Sequence, residues 1–93
     1  MKYINVGKLR RAIRTINKSI FDTHEIQMFF KINDPISFDN QLNEYKNSKN
    51  PEKTFSSVFS KKIKNLYGIA TTKKVKSLNI KNNYSMNQEF QII

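Results

Sequence analysis

The sequence predicts an all-α protein: a small helical domain that ends in a helix-hairpin-helix and an irregular tail. Three observations lead to this fold class. Apolar residues recur at helical spacing in several segments. The chain contains no internal repeat and no strand-like alternation of any length. A Tyr-Gly-Ile-Ala-Thr-Thr break at residues 67–72 separates two runs that each fit a short helix.

The first predicted helix covers roughly residues 6–20. Its apolar side chains follow each other at intervals of three and four residues, which places them in one stripe on the helix surface. They are Val6, Leu9, Ile13, Ile16 and Ile20.

Two further helices are predicted before residue 50. Residues 23–32 form the second helix, with Thr23 as its N-cap. The Asn-Asp-Pro sequence at 33–35 ends it, because a proline disfavours helical angles at the residue before it. Ser37 is expected to cap a third helix over residues 38–46.

The C-terminal half is predicted to begin after an exposed linker at 46–53, which contains no apolar side chain. A helix over 54–67, a turn at Gly68 and a helix over 71–78 follow, and residues 82–93 form a short strand or an ordered tail. We therefore expect an N-terminal helical extension at 1–50 and a helix-hairpin-helix segment with its tail at 51–93.

Charge is distributed unevenly along the chain. The 93 residues include 17 Lys and Arg against 7 Asp and Glu, which gives a net charge of +10. Residues 1–20 and 61–81 contain basic side chains and no acid, whereas all but one of the acids lie in residues 21–60. This excess points to a polyanionic partner, and nucleic acid is the leading candidate.

The same composition argues against several other functions. The chain has no cysteine and one histidine, His24, so we expect no disulfide, no metal site and no cofactor. No paired carboxylates, activated nucleophile or glycine-rich phosphate loop is visible, so the protein is predicted not to be an enzyme or to bind a small-molecule substrate. No apolar run is long enough to predict a membrane span.

Two groups of residues are candidates for RNA binding. Arg10, Arg11 and Arg14 are the three arginines of the chain and lie on the first predicted helix. An arginine fork can bond two phosphate oxygens at once, which suits this role. A solvated basic face and an organellar targeting helix are the alternatives for this segment.

The second group surrounds the predicted hairpin. Glycine can adopt the positive dihedral that a reversal at Gly68 requires, and a helix beginning near Thr71 would present free amides beside lysines. A helix end followed by a solvated lysine face is the alternative. The candidates are Lys61, Lys62, Lys64, Gly68, Ile69, Ala70, Thr71, Thr72, Lys73, Lys74 and Lys76.

The run KKIKNLYGIATTKKVKSLNI resembles the early part of the universal small-subunit ribosomal protein of the S-thirteen family. The matching positions cover about a quarter of the chain, and Ala70 and Asn79 stand where the family has glycine. The matches are Leu66, Tyr67, Gly68, Ile69, Thr71, Thr72, Lys73, Lys74, Leu78 and Ile80.

This resemblance implies a structural ribosomal protein that binds ribosomal RNA in the head of the small subunit. The lysines would neutralise RNA phosphates, and residues 68–72 would supply backbone contacts. The implied partners are ribosomal RNA, neighbouring ribosomal proteins and a separately encoded C-terminal half.

Two other functions remain open, and so does the location. The chain is alternatively a stand-alone basic DNA-binding protein from a phage, plasmid or A+T-rich bacterium, with the second and third helices as a helix-turn-helix. It is otherwise a module that binds an acidic protein. Lysine, asparagine and isoleucine supply 38 of the 93 residues, which is typical of an A+T-rich genome. Together with the resemblance this predicts a mitochondrial location, with the bacterial cytoplasm as the alternative.

Overall fold

The computed structural model describes all 93 residues and contains both helices and a sheet. Four helices and three antiparallel strands are present, so the predicted all-α fold is wrong. Their order along the chain is α1 (Val6–Ile16), β1 (Ile20–Asp22), α2 (Thr23–Asn33), α3 (Pro35–Asn43), α4 (Pro51–Lys64), β2 (Ile69–Leu78) and β3 (Tyr84–Ile92).

Helix α1 is shorter than the sequence predicts. The Asn5 side chain accepts a hydrogen bond from the Lys8 amide at its N-terminus. At the other end, Asn17 adopts a left-handed conformation (φ 52°) and its amide bonds the Ile13 carbonyl. This cap ends the helix, and Ile20 of the predicted helix begins β1 instead.

Helices α2 and α3 share the residue that separates them. Asp22, not Thr23, caps α2, because Asp22 and Glu25 bond each other's backbone amides in a capping box. Asp34 ends α2 and its side chain then caps α3, where Pro35 occupies the first turn. The predicted cap at Ser37 is therefore wrong, and α3 begins before Phe38.

Helix α4 begins three residues earlier than predicted. Asn50 accepts a hydrogen bond from the Lys53 amide, and Pro51 stands in the first turn. Phe55, Phe59 and Ile63 recur every four residues and are fully buried. This stripe fixes which face of α4 packs against the protein and leaves the opposite face in solvent.

The sheet has the strand order β1-β3-β2. Phe21 of β1 pairs with Phe90, and β2 pairs with β3 from Ile69↔Ile92 to Leu78↔Tyr84. Strand β1 has only three residues and pairs with Glu89, Phe90 and Gln91. The part of the β2–β3 hairpin between Glu89 and the turn is therefore a two-stranded ribbon.

Residues 71–78 are therefore in a strand, and the helix-hairpin-helix is not formed. Their apolar residues Val75 and Leu78 are spaced as in a helix, but Thr71, Thr72 and Val75 are β-branched and favour extended backbone. Pairing with β3 stabilises these residues as a strand instead of a helix. The predicted irregular tail is that partner strand.

Gly68 has the positive φ that the sequence predicts. Its φ is 83°, and it lies between the end of α4 and the start of β2. It connects a helix to a strand rather than two helices. Ala70, inside β2, has no positive φ.

One apolar core joins the helices to the sheet. It contains fourteen buried side chains, six of them phenylalanines. Phe55 lies at its aromatic centre, with ring centroids 5.4 Å from Phe38, 5.7 Å from Tyr45 and 5.2 Å from Phe59. Since the core takes side chains from both sides of residue 50, it holds α4 and the sheet against the N-terminal helices.

Candidate nucleic-acid interface

The solvent face of α4 is polar and basic. Opposite and beside the buried Phe55–Ile63 stripe, side chains at four-residue intervals form two adjacent rows along the helix, the first exposed and the second half-buried over its two serines. These rows are Lys53, Ser57 and Lys61, and Ser56, Ser60 and Lys64. Both rows carry hydroxyl and ammonium groups, which bind phosphate oxygens and base edges.

The β2–β3 hairpin forms the second wall of a groove beside this face. The groove has a volume of about 430 Å³ and is lined by the six α4 residues and by five hairpin residues. The hairpin contributes Thr71, Lys74, Met86, Asn87 and Gln88. We call this concave surface the α4–hairpin groove.

The α4–hairpin groove contains positive charge without a counter-charge. Four lysines line it, Lys53, Lys61, Lys64 and Lys74, and no carboxylate does. None of the four ammonium groups forms a hydrogen bond or an ion pair within the chain, whose three ion pairs all involve other lysines. Like charges confined to one groove repel each other, so a polyanion that neutralises them is favoured there.

A buried polar cluster attaches the hairpin to α2. His24 is 4% exposed, and its Nδ1 lies 3.0 Å from Ser77 Oγ. The His24 amide donates to Asn87 Oδ1, and Asn87 Nδ2 donates to Val75 O and Ser77 Oγ. Burial lowers the pKa of His24 below its ordinary value of 6.5, against the opposing effect of the nearby Asp22 charge. The neutral imidazole is thus part of the contact that positions this wall.

The far end of the hairpin is fixed to α2 and α4. Lys31 Nζ donates to Ile80 O at 2.6 Å, and Ile80 itself is buried. Lys81 pairs with Glu52 at 3.2 Å, which joins the turn to the first turn of α4. A hydrogen bond from its own backbone amide and then the Lys81 ammonium lower the pKa of Glu52. Both walls of the groove therefore keep a defined separation.

The structure brings together only part of the predicted RNA-binding set. Lys61, Lys64, Thr71 and Lys74 line the α4–hairpin groove. Other members are exposed on α4 or β2 without lining it, namely Lys62, Thr72, Lys73 and Lys76, and Thr72 donates to Glu89 Oε1. Gly68, Ile69 and Ala70 are half-buried at the junction of α4 and β2, and two of them are already strand residues.

The predicted arginines lie on α1, outside the lining of the groove. Arg10 donates from both terminal nitrogens to Tyr67 O at 3.3 Å, close to the end of α4. Arg11 and Arg14 are exposed, and their guanidinium groups form no hydrogen bond or ion pair within the chain.

Sequence reasoning missed the N-terminal half of the groove. The sequence predicts Lys53 in the exposed linker and indicates no role for Ser56, Ser57 and Ser60, which line the groove. A signal for them existed, because at helical spacing Lys53 and Ser57 fall opposite the apolar stripe of this segment, and Ser56 and Ser60 fall beside it. Met86, Asn87 and Gln88 were missed because the short strand or tail predicted at 82–93 was given no pairing with residues 69–78.

No group of three or more His, Asp and Glu side chains in the structure is placed to hold a metal ion. None of the four helices combines the length and apolar character that crossing a membrane requires. The chain matches no protein-family model, no curated protein and no solved structure.

Proposed function

We propose that the protein binds duplex DNA, with α4 against the major groove and the hairpin against the adjoining backbone. The observation that carries this proposal is the α4–hairpin groove, in which four lysines have no partner and no acid is present. Ammonium groups that neutralise phosphates release counterions from DNA, which drives association. Ser57 and Lys53, on the exposed face of α4, are positioned to contact base edges or phosphates.

The form of the surface favours DNA over duplex RNA. The major groove of B-DNA is about 12 Å wide and admits an α-helix, whereas that of A-form RNA is too narrow for side chains to read. The longest dimension of the molecule is 36 Å. This corresponds to about one turn of B-DNA, so we expect a site of roughly 10–12 base pairs.

Helix α4 also replaces the recognition helix suggested by the sequence. Helix α3 carries Asp39 on its exposed surface and has no basic residue, which suits DNA poorly. Ribosomal RNA binding and a mitochondrial or bacterial location stay predictions from the sequence. The RNA prediction no longer has its helix-hairpin-helix, because residues 71–78 are a strand.

Fluorescence anisotropy with labelled nucleic acids tests the proposal. A 24-base-pair DNA duplex, the RNA duplex of the same sequence and one DNA strand are titrated at several salt concentrations. We expect the DNA duplex to bind at least tenfold more tightly than the RNA duplex. Its log K should fall with log salt at a slope of about −3 to −4, since four lysines contribute about 0.9 each. Tighter binding to RNA, or no DNA binding at 50 mM salt, would contradict the proposal.

A further inference from the structure

Three apolar side chains are exposed together on the β2–β3 ribbon. Leu78 is 43% exposed, Tyr84 67% and Met86 60%. Leu78 pairs directly with Tyr84, and Met86 lies two residues beyond Tyr84 on the same strand. Directly paired residues and residues two apart point to the same face of a sheet, so these three form one surface, the apolar trio.

The apolar trio continues the α4–hairpin groove. Met86 lines the groove, as does Lys74. Lys76 pairs with Met86, so it shares the face of the trio. The surface thus places two ammonium groups beside three apolar side chains, which suits a partner that has apolar faces between negatively charged groups. Stacked bases surrounded by phosphates have this chemistry.

The ribbon presents the trio in a fixed position. Buried Ile80 and the contacts from Lys31 and Lys81 hold its end against α2 and α4. The turn is closed by Asn79, whose side-chain oxygen accepts from the Lys81 and Asn83 amides. Leu78 and Tyr84 flank this turn and are exposed. Ile80, within the turn, is the residue that packs into the core.

We infer that the apolar trio is a wedge that opens a base step of the bound duplex and bends the DNA. This inference rests on the proposed DNA binding and adds a deformation to it. Apolar side chains that enter from the minor groove partly unstack a step and kink the duplex. Pyrimidine–purine steps such as TA deform most easily, so the wedge would favour them without hydrogen-bonding their bases.

A 30-base-pair duplex with a central TA step tests the wedge. It carries 2-aminopurine at the step, or a donor and an acceptor dye at its ends, and is saturated with protein. We expect a several-fold rise in 2-aminopurine fluorescence and increased energy transfer with the wild-type protein. The variant Leu78→Ser/Tyr84→Ser should still bind the duplex at saturating concentration, because neither side chain lines the α4–hairpin groove, and both signals should stay near those of free DNA. The control Ile32→Ser/Ile36→Ser alters side chains that are 70% and 75% exposed on α2 and α3 and should behave as wild type.

Three outcomes would overturn the inference. If wild-type protein binds the duplex without changing either signal, the wedge is wrong and the proposed DNA binding stands. If no duplex binding occurs, both fail. If sedimentation shows a dimer that Leu78→Ser/Tyr84→Ser dissociates, the trio is a contact between copies of the chain.

Discussion

Helix α1 and the α4–hairpin groove are both strongly basic, but their charges have different roles. Around α1, Lys8 pairs with Asp34, Arg10 donates to Tyr67 O, and Lys18 pairs with Glu25. In the groove, none of the four lysines has a partner within the chain. Three of the six basic side chains in residues 1–20 thus hold the fold together, whereas all four lysines of the groove are available to a ligand.

This difference changes how the charge pattern of the sequence is interpreted. The run at 1–20 contains all three arginines and looked like a strong phosphate-binding segment. Lys8 and Lys18 pair with acids of residues 21–60, and Arg10 bonds the Tyr67 carbonyl, so these cations take partners that only the fold brings close. Charge density along the chain therefore locates candidate surfaces, but only the contacts separate cations that stabilise the protein from cations that remain available.

The largest expected effect comes from removing two positive charges from the groove, and removing two from α1 is the matched comparison. We expect Lys61→Gln/Lys74→Gln to weaken duplex DNA binding roughly 50-fold at 100 mM salt and to reduce the salt slope by about 1.8, since each lost phosphate contact removes about 0.9. The matched variant Arg11→Gln/Arg14→Gln removes two exposed charges from α1. It should change the affinity only a few-fold, as expected for a general effect of net charge.

Anisotropy titrations across 50–300 mM salt measure both variants. Unfolding in urea provides the necessary check, because all four side chains are exposed and the stability should stay within about 0.5 kcal/mol of wild type. Equal losses of slope in the two variants would break the comparison and extend the binding surface to α1.

Much of the helical part of the fold could be predicted from the sequence. The helices α1, α2 and α4 are encoded by apolar spacing, which is a local signal. Gly68 could be recognised as a positive-φ position because such a reversal depends on a few neighbouring residues. The caps were misplaced by a few residues, since Asp22 and Asp34 compete with the hydroxyl residues that follow them.

The sheet could not be predicted in the same way. Strand β2 is stabilised by its pairing with β3, and the local sequence of neither segment reveals that the two pair. A register irregularity between Thr71 and Lys74 interrupts the alternation, while exposed lysines on β2 resemble the outer face of a helix. The groove depends on this pairing, so the part of its hairpin wall that β3 supplies was missed, while Thr71 and Lys74 of β2 were predicted.

The two glycines of the chain give a smaller, opposite pair of effects. Gly68→Ala should destabilise the protein by roughly 1 kcal/mol, because alanine disfavours its φ of 83° although a Cβ there meets open space. Gly7→Ala in the first turn of α1 should stabilise it by a few tenths of a kcal/mol, because alanine loses less backbone entropy. A Cβ at Gly7 lies 3.4 Å from Asn5 Oδ1, which is tolerable.

Urea midpoints at constant m-value test the two glycine variants. Two changes of the same sign would contradict the prediction. A neutral Gly68→Ala would mean that the connection between α4 and β2, and hence the groove, does not need the left-handed residue.

The smallest effect concerns pH, which should act on the two regions in different windows. The Ser37 hydroxyl and then the Lys8 ammonium hold the pKa of Asp34 below its ordinary value of 3.8, so the contact near α1 weakens only as the pH falls below that value. The pKa of His24 is lowered from 6.5 by burial, so the unfolded chain takes up its proton first. The hairpin contact is thus fully stabilising above pH 6.5 and loses stability as the pH falls below it. The Met1 amino group behaves similarly below pH 8.0, because burial and Lys62 lower its pKa.

Urea midpoints between pH 7.5 and 5.5 separate these groups. Wild-type protein and Lys8→Gln should both lose stability over this range. His24→Gln removes the imidazole but leaves the Met1 amino group, so most of the loss below pH 6.5 should disappear. If His24→Gln keeps the full pH dependence, the dependence arises from the Met1 amino group and not from the contact at the groove wall. If Lys8→Gln alone lost it, the charges around α1 would be the pH-sensitive ones, and the contrast between the two regions would be reversed.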